Sequence, residues 1–107
     1  MATVGIQVIP YQTAAHTSAD LTFRSSDIPA SLILDIASDF SGTGTIPVHY
    51  VGNDGIRLTP VLDSDGNAFA FSETNKHLPI NSPCTIRLVK GVTADGAMGV
   101  NLHNNQL

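Results

Sequence analysis

The chain has 107 residues, 42% of them hydrophobic and only 13% charged, with a net charge of −4. That length fits a single domain able to bury roughly two thirds of its unfolded surface, so no staple is needed for a core. The composition excludes disorder driven by charge repulsion. The five basic residues (Arg24, Arg57, Lys76, Arg87, Lys90) stand singly, which excludes the cationic stripe that nucleic-acid binding requires.

Period-two alternation in short segments runs through the chain. It begins at Val4-Gly5-Ile6-Gln7-Val8-Ile9, a predicted strand ended by Pro10. Residues 11–20 are polar and Ala-rich, without period. They read as a linker, so residues 1–20 are expected to form an N-terminal arm joined to a single β domain that completes residues 1–107. Leu21-Thr22-Phe23-Arg24 alternates again. Residues 28–40 fit a helix face through Ile28, Leu32, Ile33, Ile36 and Phe40, and a strand face through Leu32, Leu34 and Ile36. Sparse helix formers and frequent β-branched Ile favour the strand. Residues 41–45, Ser-Gly-Thr-Gly-Thr, then make a turn.

The next predicted strand puts Ile46, Val48 and Tyr50 on one face and Pro47 and His49 on the other. Gly52-Asn53-Asp54-Gly55 is a hairpin signal leading into Ile56-Arg57-Leu58-Thr59 and, past Pro60, Val61 and Leu62. Asp63-Ser64-Asp65-Gly66-Asn67 is a second turn before Phe69 and Phe71, which share a face. Pro47 and Pro60, inside runs, mark edge strands or bulges. Thr85-Ile86-Arg87-Leu88-Val89 and Met98-Gly99-Val100-Asn101-Leu102 are the last two strands, with a turn at Asp95-Gly96 and a polar tail at residues 103–107. The expected fold class is all-β: a small β-sandwich or β-barrel of about seven to eight short antiparallel strands.

No motif points to catalysis, a metal or a cofactor, and none of these is expected. Asp63, Asp65 and Asn67 resemble the opening of a calcium loop, but the twelfth position is Thr74 where such a loop needs Glu, so a plain hairpin turn is the better reading. His16, His49, His77 and His103 lack zinc-ligand spacing. The acids, eight Asp and one Glu, fall mostly in turns, and no nucleophile elbow or dinucleotide fingerprint is present. Cys84 is the sole cysteine, so an intramolecular disulfide is impossible, and its alternating context reads as a small core hydrophobe. The exposed loop tips expected at residues 53–55 and 93–96 read as ordinary turns. The first four residues show no signal-peptide pattern, and no apolar run approaches the ~20 residues of a bilayer span, so a soluble chain without a membrane partner is expected.

A surface of Ser, Thr, Asn and Gly with few charges costs little to desolvate and suits permanent contact with a partner. The candidate partner-binding residues are Val4, Ile6, Val8, Ile9 and Tyr11, on an N-terminal strand that can add to a neighbour's sheet.

Three stretches within residues 48–102 carry a resemblance. The first is His49-Tyr50-Val51-Gly52-Asn53-Asp54-Gly55 with Leu58-Thr59-Pro60-Val61 and Asp65-Gly66-Asn67. The second runs from Ser72-Glu73-Thr74-Asn75 to Leu78-Pro79-Ile80-Asn81-Ser82-Pro83. The third is Cys84-Thr85-Ile86-Arg87-Leu88-Val89-Lys90 with Gly99-Val100-Asn101-Leu102. In this order they resemble small virion structural proteins of tailed bacteriophages, of the capsid decoration (cement) type, although Cys84 and His49 depart from the pattern. The resemblance implies a β-rich, non-enzymatic protein, a homotrimer or other homo-oligomer. It would be assembled in the host cytoplasm and bind the major capsid protein on the outer surface of the virion. The alternative is a carbohydrate-binding or adhesin-like β-sandwich module, which needs an exposed aromatic platform. Phe23, Tyr50, Phe69 and Phe71 are expected in the core, leaving Tyr11 and Phe40 as candidates for exposure. A small hydrolase has no motif in its favour.

Overall fold

The computed structural model describes residues 4–37, 40, 42–93 and 96–104. The chain forms ten strands there: β1 (Val4–Gln12), β2 (His16–Thr17), β3 (Leu21–Phe23), β4 (Ala30–Asp35), β5 (Ile46–Val51), β6 (Leu58–Pro60), β7 (Ala70–Phe71), β8 (His77–Ile80), β9 (Cys84–Lys90) and β10 (Met98–Asn104). One 3-10 turn, Ser25–Asp27, precedes β4. All pairings between strands are antiparallel.

The strands form two sheets. One has four strands in the order β1-β10-β4-β8; the other has six, with β2 and β3 on one side of β9, then β5, then β6 and β7. The chain alternates between the sheets, so sequence neighbours often lie in opposite layers. Inward residues of both sheets meet in one core: Ile9, Leu32, Leu34 and Val100 from the first, and Ile46, Val48, Phe71, Ile86 and Leu88 from the second. Phe69 and Phe71 meet edge to face, with ring centroids 5.0 Å apart. The all-β fold expected from alternation, a sandwich or barrel of about seven to eight strands, is observed as two antiparallel sheets with ten strands among the described residues.

Segment 28–40 forms a strand where it is described as β4: Ala30, Leu32 and Leu34 are buried while Ser31 and Ile33 face outward. The parity that makes a half-buried strand overrides the helical spacing of the same residues. Position 40 lies beyond the strand, and residues 38 and 39 lie outside the described residues.

Several expectations are corrected. Residues 1–20 are not an arm and linker where they are described. β1 pairs with β10 of its own chain from Val4↔Asn104 to Gln12↔Met98. The supposed linker contributes β2, paired with β9. Ser18 is buried: its N–H donates to Leu88 O at 2.9 Å, and its hydroxyl accepts the Leu88 N–H at 3.0 Å. The segment lacks period because its polar groups satisfy a neighbouring strand rather than facing alternately in and out. Ile56, 80% exposed, is not on a strand. Asp54 Oδ1 accepts the amides of Ile56 and Arg57 at 2.9 Å each, which curls those residues into the turn and delays β6 to Leu58. The tail expected at 103–107 is strand as far as Asn104; residues 105–107 lie outside the described residues.

Candidate functional site

The partner-binding residues proposed from sequence all lie on β1, an edge strand with one side paired to β10. Its hydrogen-bonding parity follows from the sheet. The Leu34 N–H donates to Lys76 O at 2.8 Å, so even residues of β4 bond toward β8 and odd ones toward β10. Even residues of β10 then bond toward β1, pairing Leu102 with Ile6 and Asn104 with Val4. The backbone groups of Gly5 and Gln7 are left on the open edge.

β1 is irregular beyond that point. Its register shifts between Gln7 and Ile9 and again between Ile9 and Gln12. Gly99 permits this distortion. A Cβ built there would lie 2.7 Å from Ile9 O and 2.9 Å from Tyr11 N, so only glycine lets β1 cross β10 this closely.

The five residues separate into two groups. Ile9 is fully buried and Val8 nearly so, because both point into the chain's own core; they are unavailable to a partner, which corrects the expectation for them. Ile6 is 52% exposed and Tyr11 45%, and both remain accessible. The side chain of Val4 lies outside the described residues.

A second feature was not anticipated. A half-open cleft of about 820 Å³ lies between the two sheets at the β6 and β8 side, with Tyr50, Leu62 and Cys84 in its lining. Tyr50 pairs across to Ile86 on the inner face of its sheet, as its alternation predicted. It is nevertheless 43% exposed, because it sits at an opening of the sandwich rather than in its core. Parity placed the ring on the correct face; only the tertiary arrangement shows that the face is open there.

The remaining candidates are structural. Asp63 Oδ1 accepts the amides of Asp65 (2.9 Å) and Asn67 (3.0 Å), and Gly66 has φ +83°, so this segment is the expected hairpin turn. Among the described residues, no three His, Cys, Asp or Glu side chains come together. Cys84 packs against the core, and burial pushes its thiol up from the ordinary value, disfavouring the thiolate. His77 Nε2 lies 2.9 Å from Ser31 Oγ on the outer face of β4 and β8. Thr93 is buried rather than exposed at a loop tip: its hydroxyl donates to Gly96 O at 2.8 Å and its N–H to Thr13 O at 2.9 Å. Residues 94 and 95 of that turn lie outside the described residues.

Lys90 is a residue that sequence reasoning missed. It continues the inward parity of Ile86 and Leu88 and is 2% exposed. Its ammonium donates to the carbonyl of Ala14, and to Gly91 O at 3.4 Å. Desolvation pushes its pKa below the ordinary lysine value. The ammonium therefore ties the β1–β2 connection to β9. The signal was present in the alternation of residues 84–90, where Lys falls on the apolar phase.

A fold of this kind occurs in a prophage protein. The crystal structure of SPBc2 prophage-derived protein YomS superposes on the chain with a TM-score of 0.61, over 96% of this chain and 92% of YomS, at 11% sequence identity. No protein-family model and no curated protein matches the chain. At that identity the YomS likeness shows the shared fold.

Proposed function

We propose that the chain is a non-enzymatic structural protein of a bacteriophage virion that binds the outer surface of the capsid shell and stabilises it. The likeness of fold to a prophage-derived protein, over nearly the whole of both chains, is the observation that carries this reading. A chain with only 13% charged residues supports it, since a surface with few charges loses little on permanent contact. The partners are the major capsid protein and further copies of this chain, in a homotrimer or another closed oligomer.

The open edge of β1 supplies the means of contact. Gly5 and Gln7 offer backbone groups to an added strand, and Ile6 and Tyr11 offer apolar contacts beside them. Each contact is small, but a closed oligomer presents several at once. Binding at several points of a lattice gains affinity through effective concentration, without any single large interface.

The test uses empty shells assembled from the major capsid protein of the source virus, with and without the purified domain. Saturable binding, at a ratio set by the lattice symmetry, and a higher disruption temperature are expected. Shells that neither retain the domain nor gain resistance to heat would contradict the proposal.

A further inference from the structure

The cleft beside Tyr50 is separate from the β1 edge and lies on the other side of the sandwich. We propose that it binds an uncharged saccharide, with the Tyr50 ring as the platform on which a sugar ring stacks. This goes beyond the virion role and does not depend on it.

Four observations converge. First, the volume, about 820 Å³, lies within the range of roughly 300–1,000 Å³ typical of small-molecule sites. Second, the lining is amphipathic in the way a sugar is. Tyr50 and the exposed Leu62 supply apolar surface, while Ser64, Asn75, Asn81 and Ser82 bring exposed hydroxyl and amide groups. A pyranose has a C–H face that packs on an aromatic ring and equatorial hydroxyls that both donate and accept, which amide and hydroxyl side chains match in both senses.

Third, the electrostatics select against anions. Among the described residues no Lys or Arg lines the cleft; its ionisable side chains are His77, whose Nε2 is 2.9 Å from Ser31 Oγ, and Asp63, which already accepts two backbone amides through Oδ1. A phosphate or a nucleic acid finds no guanidinium or ammonium there.

Fourth, the flanking strand edges discourage an extended peptide. In β8 the bonded pairs with β4 are Leu32↔Leu78 and Ala30↔Ile80, so Pro79 turns its nitrogen to the open edge, where it has no N–H to give. In β6 the Gly52 N–H donates to Arg57 O and the Val61 N–H to Val48 O, which likewise turns the Pro60 nitrogen outward. A strand added at either edge loses a ladder hydrogen bond. Recognition here falls to side chains.

The experiment is a titration of the whole protein, labelled for ¹H–¹⁵N and aromatic NMR. The ligands are methyl glycosides of glucose, galactose, mannose and N-acetylglucosamine, together with a neutral oligosaccharide array. At least one ligand is expected to give saturable shifts at the Tyr50 ring and at residues 62–64 and 75–82, leaving β1 unmoved. Tyr50→Ala should weaken that binding about tenfold or more, the loss of one aromatic contact. Tyr50→Phe should keep most of it, and Tyr11→Ala all of it. The proposal is overturned if no sugar on the array or in the titration moves the cleft. It is equally overturned if Tyr50→Phe, which preserves the packing, binds no better than Tyr50→Ala, or if an extended peptide occupies the cleft in place of the sugars.

Discussion

At the scale of single residues, two polar groups show how local chemistry sets the structure. His49 alternates onto the outer face of β5, opposite Arg87 and Pro60, as its sequence position indicated. Its Nδ1 is buried without a hydrogen-bond partner among the described residues. An unpaired buried nitrogen costs about 1–3 kcal/mol. His49→Leu, which removes the group and keeps the bulk, should therefore raise stability by about 1 kcal/mol in urea denaturation; a loss of similar size would show that the ring is satisfied in solution. Asp54 is the opposite case. The amides of Arg57 and Ile56 hold its carboxyl below the ordinary value of 3.8. Because the folded value lies below the unfolded one, the carboxylate stabilises the turn at neutral pH, and that contribution disappears as pH falls from about 4 through the folded value. The amide resonances of Ile56 and Arg57 should titrate with a midpoint below 3.8, whereas a midpoint at or above it contradicts the capping role. The role of Asp54 as a turn residue was legible in the Asn-Asp-Gly signal. The orphaned nitrogen of His49 was not, because its burial depends on strands distant in sequence.

At the scale of elements, most strands were legible from alternation, but β2 and β8 were not. β9 and β10, seven residues each, stand out in the sequence, whereas β2 has two residues and β8 has four with Pro79 among them. Such fragments carry no period and gain their structure from the strand they join. β1 was legible as a strand but not as part of the body, since a run of alternating residues does not state which chain it pairs with. Its docking depends on Gly99, where a Cβ would meet the backbone of Ile9 and Tyr11. Gly99→Ala should cost about 1–3 kcal/mol and speed hydrogen exchange along β1 more than along β9. Unchanged exchange in β1 would refute the close-approach argument. On the open edge, Ile6→Lys places a charge at a half-exposed position beside the free backbone groups. It should weaken retention of the domain on capsid shells while leaving the melting temperature within a few degrees. A variant retained as well as the parent would move the shell contact away from β1.

At the scale of the whole molecule, alternation and turn spacing were enough to reach a small antiparallel all-β fold, but not to choose between a sandwich and a barrel. They did not reach the cleft. Tyr50 looks like a core residue by parity, and only the position of the sheet edges leaves it half open. The same arrangement leaves an edge with unpaired backbone at β1 and proline-blocked edges around the cleft. Two small sheets bring both within one domain of 107 residues.

The proposed place of this domain on the outside of a virus particle is checked by electron microscopy of particles from the source virus, labelled with gold-conjugated antibody raised against the purified domain. Regularly spaced label on the head surface of intact particles is the predicted result. Unlabelled intact particles, with the protein recovered only from the soluble fraction of lysed cells, would contradict it.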